Sequence, residues 1–270
     1  MTVFRLDFKR NFGGLIAATI VISVIAVLLM VFHKVFAGAF QPVSFEAKVN
    51  ALPSLIRGIL GLSAVPDLSG AFAFAAYAFQ FVLLLAGLYA GIIGAKALSG
   101  EEGKGSIEFL YSLPVTRGSI LRQKVASGIV RYLIFSIVVY AVTCCAIWFL
   151  NKDMHISGVV IQMIRVFICI VFAGLVYMAI GYLVSALFRS NAESVSVMIA
   201  IVLITYIVGM MGNIMPHLFF LRYFSPIHAE LPLTVLNKGF GFIGLVIGLA
   251  VFIAALLLAS LRYRKKDFLV

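Results

Sequence analysis

The sequence predicts an all-α integral membrane protein with six transmembrane helices. Its 270 residues are 63% hydrophobic and 11% charged, with a mean hydropathy of +1.15. Soluble domains are about 45–50% apolar and about 25% charged. The apolar residues fall into six long stretches, each near the roughly 20 residues that cross a bilayer. We therefore expect residues 1–270 to form a single transmembrane domain in a lipid bilayer.

The spans and the segment before them can be placed along the chain. An N-terminal interfacial helix is predicted first, because Phe4, Phe8 and Phe12 share one helical face among charged residues. The first apolar stretch is too long for the core of a signal peptide and fits a membrane helix. The predicted spans are about 14–32, 70–97, 129–150, 159–188, 195–211 and 239–261.

Two long connections lie between spans one and two and between spans five and six. In the first, leucine and isoleucine spacing over residues 52–62 predicts a short amphipathic helix on the membrane face. The second, residues 212–238, contains Pro216, Pro226 and Pro232 but is too apolar for a solvated loop. It predicts a re-entrant outer hairpin before the last span, with its backbone satisfied by protein or water.

The distribution of basic residues predicts the orientation. With both termini inside, the inner side collects twice as many of the 21 Lys and Arg residues as the outer side. The positive-inside rule therefore places both termini in the cytoplasm. The net charge of +11 reflects residues that flank apolar spans, so lipid headgroups explain it and no nucleic-acid partner is expected.

The longest polar interruption, residues 101–124, follows span two on the inner side and is called the elbow below. It reads EEGKGSIEFLYSLPVTRGSILRQK. Ser106 can cap a short amphipathic helix with Glu108 in its first turn, and Pro114 ends that helix. Thr116 can cap a second helix that runs toward Lys124. By composition alone, a surface helix lying in the headgroups is an equally good interpretation.

No group of residues predicts catalysis or metal binding. The four histidines are scattered over the outer side without HExxH spacing, and no GxSxG or Walker lysine motif is present. We expect neither an enzyme nor a chain with its own cofactor or metal. Two arginines lie at membrane depth, Arg131 and Arg165, and either can snorkel to an interface or line a substrate path.

Small residues predict close helix packing. Gly87 with Gly91, and Gly244 with Gly248, form GxxxG pairs. We interpret both pairs first as packing within the chain and second as a dimer seam.

The elbow resembles a signature of the type-2 ATP-binding-cassette (ABC) permeases, the six-span exporter type. That pattern is roughly E-E-x-x-G-T-hydrophobic-E-hydrophobic-L-L-S-x-P-V-x-R with a following lysine. Here Ser106 replaces the usual threonine and Tyr111 a leucine. The six-span plan and Tyr223-Phe224-Ser225-Pro226 in the last outer region extend the resemblance over the chain.

The resemblance implies a permease subunit whose elbow is the coupling helix, seated on a separate ABC ATPase that binds ATP and Mg²⁺. It also implies a second permease, as a homodimer or heterodimer, export, and a prokaryotic plasma membrane. The coupling residues that it implies are Glu101, Glu102, Gly105, Ser106, Ile107, Glu108, Phe109, Leu110, Leu113, Pro114, Arg117 and Lys124.

Two other classes of protein stay open at this point. One is a stand-alone channel or ion-coupled carrier, although no span carries the central acidic residue expected of a coupled carrier. The other is a membrane scaffold that binds a partner without moving a substrate.

Overall fold

The computed structural model describes residues 2–36, 42–53, 56–57, 68, 70–102, 117–152 and 154–265. Within these ranges the secondary structure is helical, without strands. The α-helices are α1 (Thr2–Arg10), α2 (Phe12–Phe36), α3 (Pro42–Asn50), α4 (Ala71–Glu102), α5 (Arg117–Leu150), α6 (Ile156–Leu187), α7 (Asn191–Ile214), α8 (Pro226–Ala229), α9 (Pro232–Lys238) and α10 (Phe242–Lys265). A 3-10 helix, Pro216–Phe224, lies between α7 and α8.

Six of these helices are long and apolar enough to cross a membrane: α2, α4, α5, α6, α7 and α10. This confirms the predicted all-α fold with six spans. The N-terminal helix α1 is also present, and its aromatic row forms as predicted. The rings of Phe4 and Phe8 lie 6.2 Å apart, and those of Phe8 and Phe12 lie 6.0 Å apart.

The beginning of the third span differs from the prediction. A separate elbow helix toward Lys124 was expected before a span starting near residue 129, but α5 runs without a break from Arg117 to Leu150. Residues 125–128 (Val-Ala-Ser-Gly) contain no proline to stop it. Gly128 fits within this helix because it leaves room for the Tyr182 hydroxyl. A Cβ at this position would lie 2.2 Å from that oxygen.

The first outer connection is described in part. Helix α3 begins at Pro42, a position that suits proline at a helix start, and it was not predicted. Most of the amphipathic helix predicted over 52–62 lies outside the described residues.

Helix α6 is the centre of the bundle, and among the described helices its contact with α4 is the most extensive. The two backbones touch at glycines. A Cβ on Gly94 would lie 2.2 Å from the Met178 carbonyl oxygen, and one on Gly181 would lie 2.4 Å from the Gly91 carbonyl oxygen. Helices α5 and α10 also pack on α6, α2 packs on α5 and α4, and α7 packs on α4.

The predicted GxxxG pairs contact side chains of the same chain. Gly87 faces the Tyr177 ring and Gly91 faces Met198. Gly244 faces Glu230 and Gly248 faces the Phe172 ring. These contacts agree with packing within the chain, the first of the two interpretations.

Candidate functional site

The centre of the elbow lies outside the described residues, and its two ends lie within them. Helix α4 continues to Glu102 and α5 begins at Arg117. The predicted coupling residues Gly105, Ser106, Ile107, Glu108, Phe109, Leu110, Leu113 and Pro114 fall in the undescribed centre, as do the side chains of Glu101, Glu102 and Arg117. The site can therefore be built from the junction where the flanking helices meet, which we call the elbow base.

Lys124 links the two helices that flank the elbow. Its side chain is 1% exposed, and its Nζ donates a hydrogen bond to the carbonyl oxygen of Ala97 on α4. The Tyr182 hydroxyl of α6 donates to the Lys124 carbonyl oxygen at 2.9 Å. A buried ammonium group is costly unless it is hydrogen-bonded, so these contacts hold α4, α5 and α6 in one arrangement.

A serine on α6 completes the elbow base. Ser185 Oγ accepts hydrogen bonds from the backbone N–H groups of Leu98 and Ser99, each at 2.9 Å. Ser99 Oγ donates to the Ala95 carbonyl oxygen at 2.8 Å. Ser99, Ser185 and Leu98 are all buried. The last turns of α4 are therefore fixed to α6 by polar contacts as well as by the glycine packing one turn earlier.

An ion pair joins α1 to the same region. Asp7 Oδ2 accepts hydrogen bonds from Arg131 Nη2 at 2.9 Å and from Ser127 Oγ at 2.8 Å. The side chains of Asp7 and Arg131 are 5% and 6% exposed. The Phe4 N–H also donates to Gln123 Oε1 at 3.3 Å. Arg131 thus lies in a helix–helix contact at the elbow base, where Asp7 neutralises it.

Sequence reasoning did not single out Asp7. It is the one acidic residue among Arg5, Lys9 and Arg10 in an N-terminal segment that was assigned to the membrane surface. The signal that could have identified Asp7 is Arg131, because a charge at membrane depth needs a partner of opposite charge.

A small cavity lies beside this ion pair. Its volume is about 90 Å³, and its lining includes Asp7, Asn11, Tyr89, Lys96 and Arg131. The lining thus combines one acidic residue with two basic ones on the elbow side of the bundle.

Comparison with known families decides the class of protein. A family model described as ABC-2 family transporter protein matches residues 3–268, nearly the whole chain. The chain belongs to the ABC-2 transporter family. This confirms the relationship predicted from the elbow residues and makes the chain a multi-pass ABC transporter permease. A comparison with curated proteins finds no match.

The other end of this ABC-2 permease is formed by the hairpin segment, residues 216–238. It consists of the 3-10 helix, α8 and α9, and each of these begins with a proline at its start. The prolines explain why an apolar segment breaks into short helices. Phe219 and Phe224 are exposed, whereas Ile227 is buried against the bundle.

Two titratable groups of the hairpin segment are buried. His228 lies against the Tyr206 ring, 4.7 Å between centroids, and its Nδ1 is 3.2 Å from Ser225 Oγ. Burial lowers the pKa of His228 to about 4, so the imidazole is neutral at pH 7. Glu230 Oε2 accepts a hydrogen bond from the Gly241 N–H at 3.0 Å, just before α10, and burial raises the pKa of this carboxyl group.

Arg165 belongs to this end of the permease. Its Nη1 donates to the carbonyl oxygen of Leu236 on α9 at 3.1 Å, and its side chain is exposed. The structure therefore places the two arginines in different surroundings. Arg131 is paired and buried at the elbow base, and Arg165 is exposed where α6 contacts α9.

Proposed function

We propose that this ABC-2 permease is the membrane subunit of an exporter and that its elbow couples it to a separate ABC ATPase. Family membership supports the permease and its pairing with an ABC ATPase. The observation that carries the coupling proposal is the elbow base. The helices that enter and leave the elbow are tied to each other and to α6 by buried hydrogen bonds.

The elbow residues suit a contact with a protein partner. Apolar Ile107, Phe109, Leu110 and Leu113 would fill a groove on the ATPase. Four charged residues would form directional ion pairs around that groove: Glu101, Glu102, Glu108 and Arg117.

The elbow base would pass motion of the elbow into the spans. Because Lys124 is buried against α4, its part in coupling would be to hold the junction and not to touch the ATPase. Closure of two ATPase subunits on ATP would then move α4, α5 and α6 together. Such a movement would shift the bundle between inward-facing and outward-facing states.

The proposed assembly has two permeases and two ATPase subunits. The second permease is another copy of this chain or a related one. ATP and Mg²⁺ bind the ATPase subunits, and this chain supplies no catalytic group. The elbow and both termini lie in the cytoplasm of a prokaryote, the permease lies in its plasma membrane, and the hairpin segment re-enters the bilayer from outside.

The test is charge reversal on the elbow. The full chain is produced together with candidate ABC ATPases from the same genome, and Glu102→Lys and Glu108→Lys are compared with Glu46→Lys in the complex that forms. Glu46 is exposed and lies on α3, outside the elbow. We expect both elbow variants to lose bound ATPase or its stimulation by the permease, with thermal stability unchanged, while Glu46→Lys behaves as wild type.

Normal assembly and normal ATPase stimulation in both elbow variants would contradict the coupling proposal. Transport by the purified chain in liposomes without any ATPase would instead favour a self-sufficient channel or carrier. A partner that binds without any transported substrate would favour a scaffold.

A further inference from the structure

We propose that the pocket between α4, α6 and α9 binds an anionic phospholipid through its phosphate group, with Arg165 as the phosphate ligand. This site goes beyond the proposed ATPase coupling and does not depend on it. The pocket has a volume of about 520 Å³. It is lined by Gly70, Phe72, Ala73, Ile161, Gln162, Arg165, Leu236 and Asn237.

The polar side of the pocket suits a phosphate. A guanidinium group has five N–H donors, and the contact with the Leu236 carbonyl oxygen uses one of them. That contact holds the Arg165 side chain at the pocket and leaves its other N–H groups able to donate to two oxygens of a phosphate. Gln162 and Asn237 add amide donors to the lining, and both are exposed. The described lining contains no carboxylate, so its charge is positive.

The depth of the pocket matches a headgroup layer. From Lys96, near the elbow base, to Phe72, at the pocket, α4 rises about 36 Å at about 1.5 Å per residue. The hydrocarbon core of a bilayer is about 30 Å thick. The pocket therefore lies about one hydrocarbon thickness from the level of Lys96 at the elbow base. Side chains of a helix point toward its N-terminus, which directs Arg165 toward the membrane surface at this end.

The apolar side of the pocket identifies the ligand as a lipid and not as a free phosphate ion. Phe72, Ala73 and Ile161 form its apolar walls, and Ile161 is 70% exposed. Ile161 and Ile168 lie on the same helical face as Arg165 and are both exposed, so apolar surface of α6 continues from the pocket wall past the arginine toward the bilayer centre. An acyl chain can lie along this surface while its phosphate meets Arg165, whereas an inorganic anion would use the polar part alone.

The experiment measures lipid retention by the full chain. Protein purified in mild detergent is incubated with phosphatidylglycerol or phosphatidylcholine, and retained lipid is counted by native mass spectrometry. Arg165→Gln is compared with Lys152→Gln, which removes an exposed charge from the turn between α5 and α6 without touching the pocket lining. We expect the preference for phosphatidylglycerol to fall about fivefold in Arg165→Gln and to stay unchanged in Lys152→Gln.

A second variant tests the pocket without changing charge. Ala73→Phe fills the apolar wall, and we expect it to reduce retention of both lipids about fivefold while the protein stays monodisperse. If Arg165→Gln does not yield folded protein, Ala73→Phe carries the test. Equal retention by Ala73→Phe and wild type, or equal losses in Arg165→Gln and Lys152→Gln, would overturn the proposal. Displacement of the lipid by soluble glycerol 3-phosphate would also overturn it, since a free phosphate would then suffice.

Discussion

The elbow base and the hairpin segment both bury polar groups, but they stabilise them differently. At the elbow base the buried charges have partners of opposite charge or a carbonyl oxygen: Asp7 pairs with Arg131, and Lys124 donates to Ala97. In the hairpin segment, Glu230 Oε1 and Arg222 Nε are buried without a hydrogen-bond partner among the described residues. His228 is buried in its neutral form.

This difference fits two mechanical roles. A junction of paired charges loses much energy when it separates, so it transmits force with little internal movement. A segment with unpartnered polar atoms gains new partners when it shifts or admits water, so it can rearrange at lower cost. We therefore expect the elbow base to behave as a rigid unit and the hairpin segment as the more adaptable one.

The largest expected effect is at the ion pair between α1 and α5. Arg131→Ala removes the buried cationic partner of Asp7 and leaves it with the exposed Arg10 at 3.7 Å, which should reduce stability by about 3 kcal/mol. Asp7→Ala should cost a similar amount, and the double variant should cost less than the sum of the two. Thermal unfolding of the four proteins in detergent forms a double-mutant cycle that measures this coupling. Strictly additive losses would show that the two residues do not stabilise each other.

A somewhat smaller effect is expected from the link between α4 and α5. Lys124→Met keeps the apolar stem and removes the ammonium group, which leaves the Ala97 carbonyl oxygen with one donor fewer. We expect a loss of about 1.5–3 kcal/mol and weaker stimulation of the ATPase. The control is Arg122→Met, because Arg122 is exposed and donates within its own helix to Gly118. A similar loss in both variants would argue against a special role for Lys124.

The hairpin segment should respond to pH through His228. Its pKa is about 4 in the folded protein and 6.5 ordinarily, so between these values the unfolded chain binds more protons. Stability is therefore full above pH 6.5 and is lost as the pH falls toward 4, by about 2 kcal/mol at pH 5. His228→Gln should flatten this dependence, and His155→Gln, which changes an exposed histidine, should not. An unchanged pH profile in His228→Gln would contradict the assignment.

The smallest expected effect is a difference, that between the stability losses caused by removing one serine hydroxyl at each end. Ser127→Ala removes a hydrogen bond to the Asp7 carboxylate, worth about 1.5–3 kcal/mol because its acceptor is charged. Ser225→Ala removes neutral contacts to His228, worth about 1 kcal/mol. A larger loss from Ser225→Ala, measured by thermal unfolding, would reverse the comparison between the two ends.

Local patterns predicted much of the fold. The six spans follow from apolar length, and the irregular course of the hairpin segment follows from Pro216, Pro226 and Pro232, because both depend on nearby residues; the short helices within that segment were not predicted. The helix predicted after Thr116 is present, since α5 begins at Arg117, but the predicted break before residue 129 was wrong because no residue after Lys124 ends the helix. Whether this segment forms a separate helix or the first turns of α5 depends on its packing against α6, which local sequence does not show.

Long-range partners could not be predicted. Asp7 and Arg131 are 124 positions apart in sequence, and only the docking of α1 on α5 joins them. The backbone contact between α4 and α6 joins Gly91 of a predicted GxxxG pair to Gly181, and Gly94 to Met178; the residues 94 and 181 could not be singled out because the register of two helices depends on all the side chains between them. The ABC family was found from the elbow, whose signature is contiguous.

The coupling proposal requires that the elbow contacts the ABC ATPase. A photoreactive amino acid is placed at Phe109, and as a control at Phe149, an exposed residue at the far end of α5. After illumination of membranes that contain both proteins, we expect a crosslink to the ATPase from position 109 and none from position 149. Absence of a crosslink from 109, in a complex whose ATPase co-purifies with the permease, would contradict it.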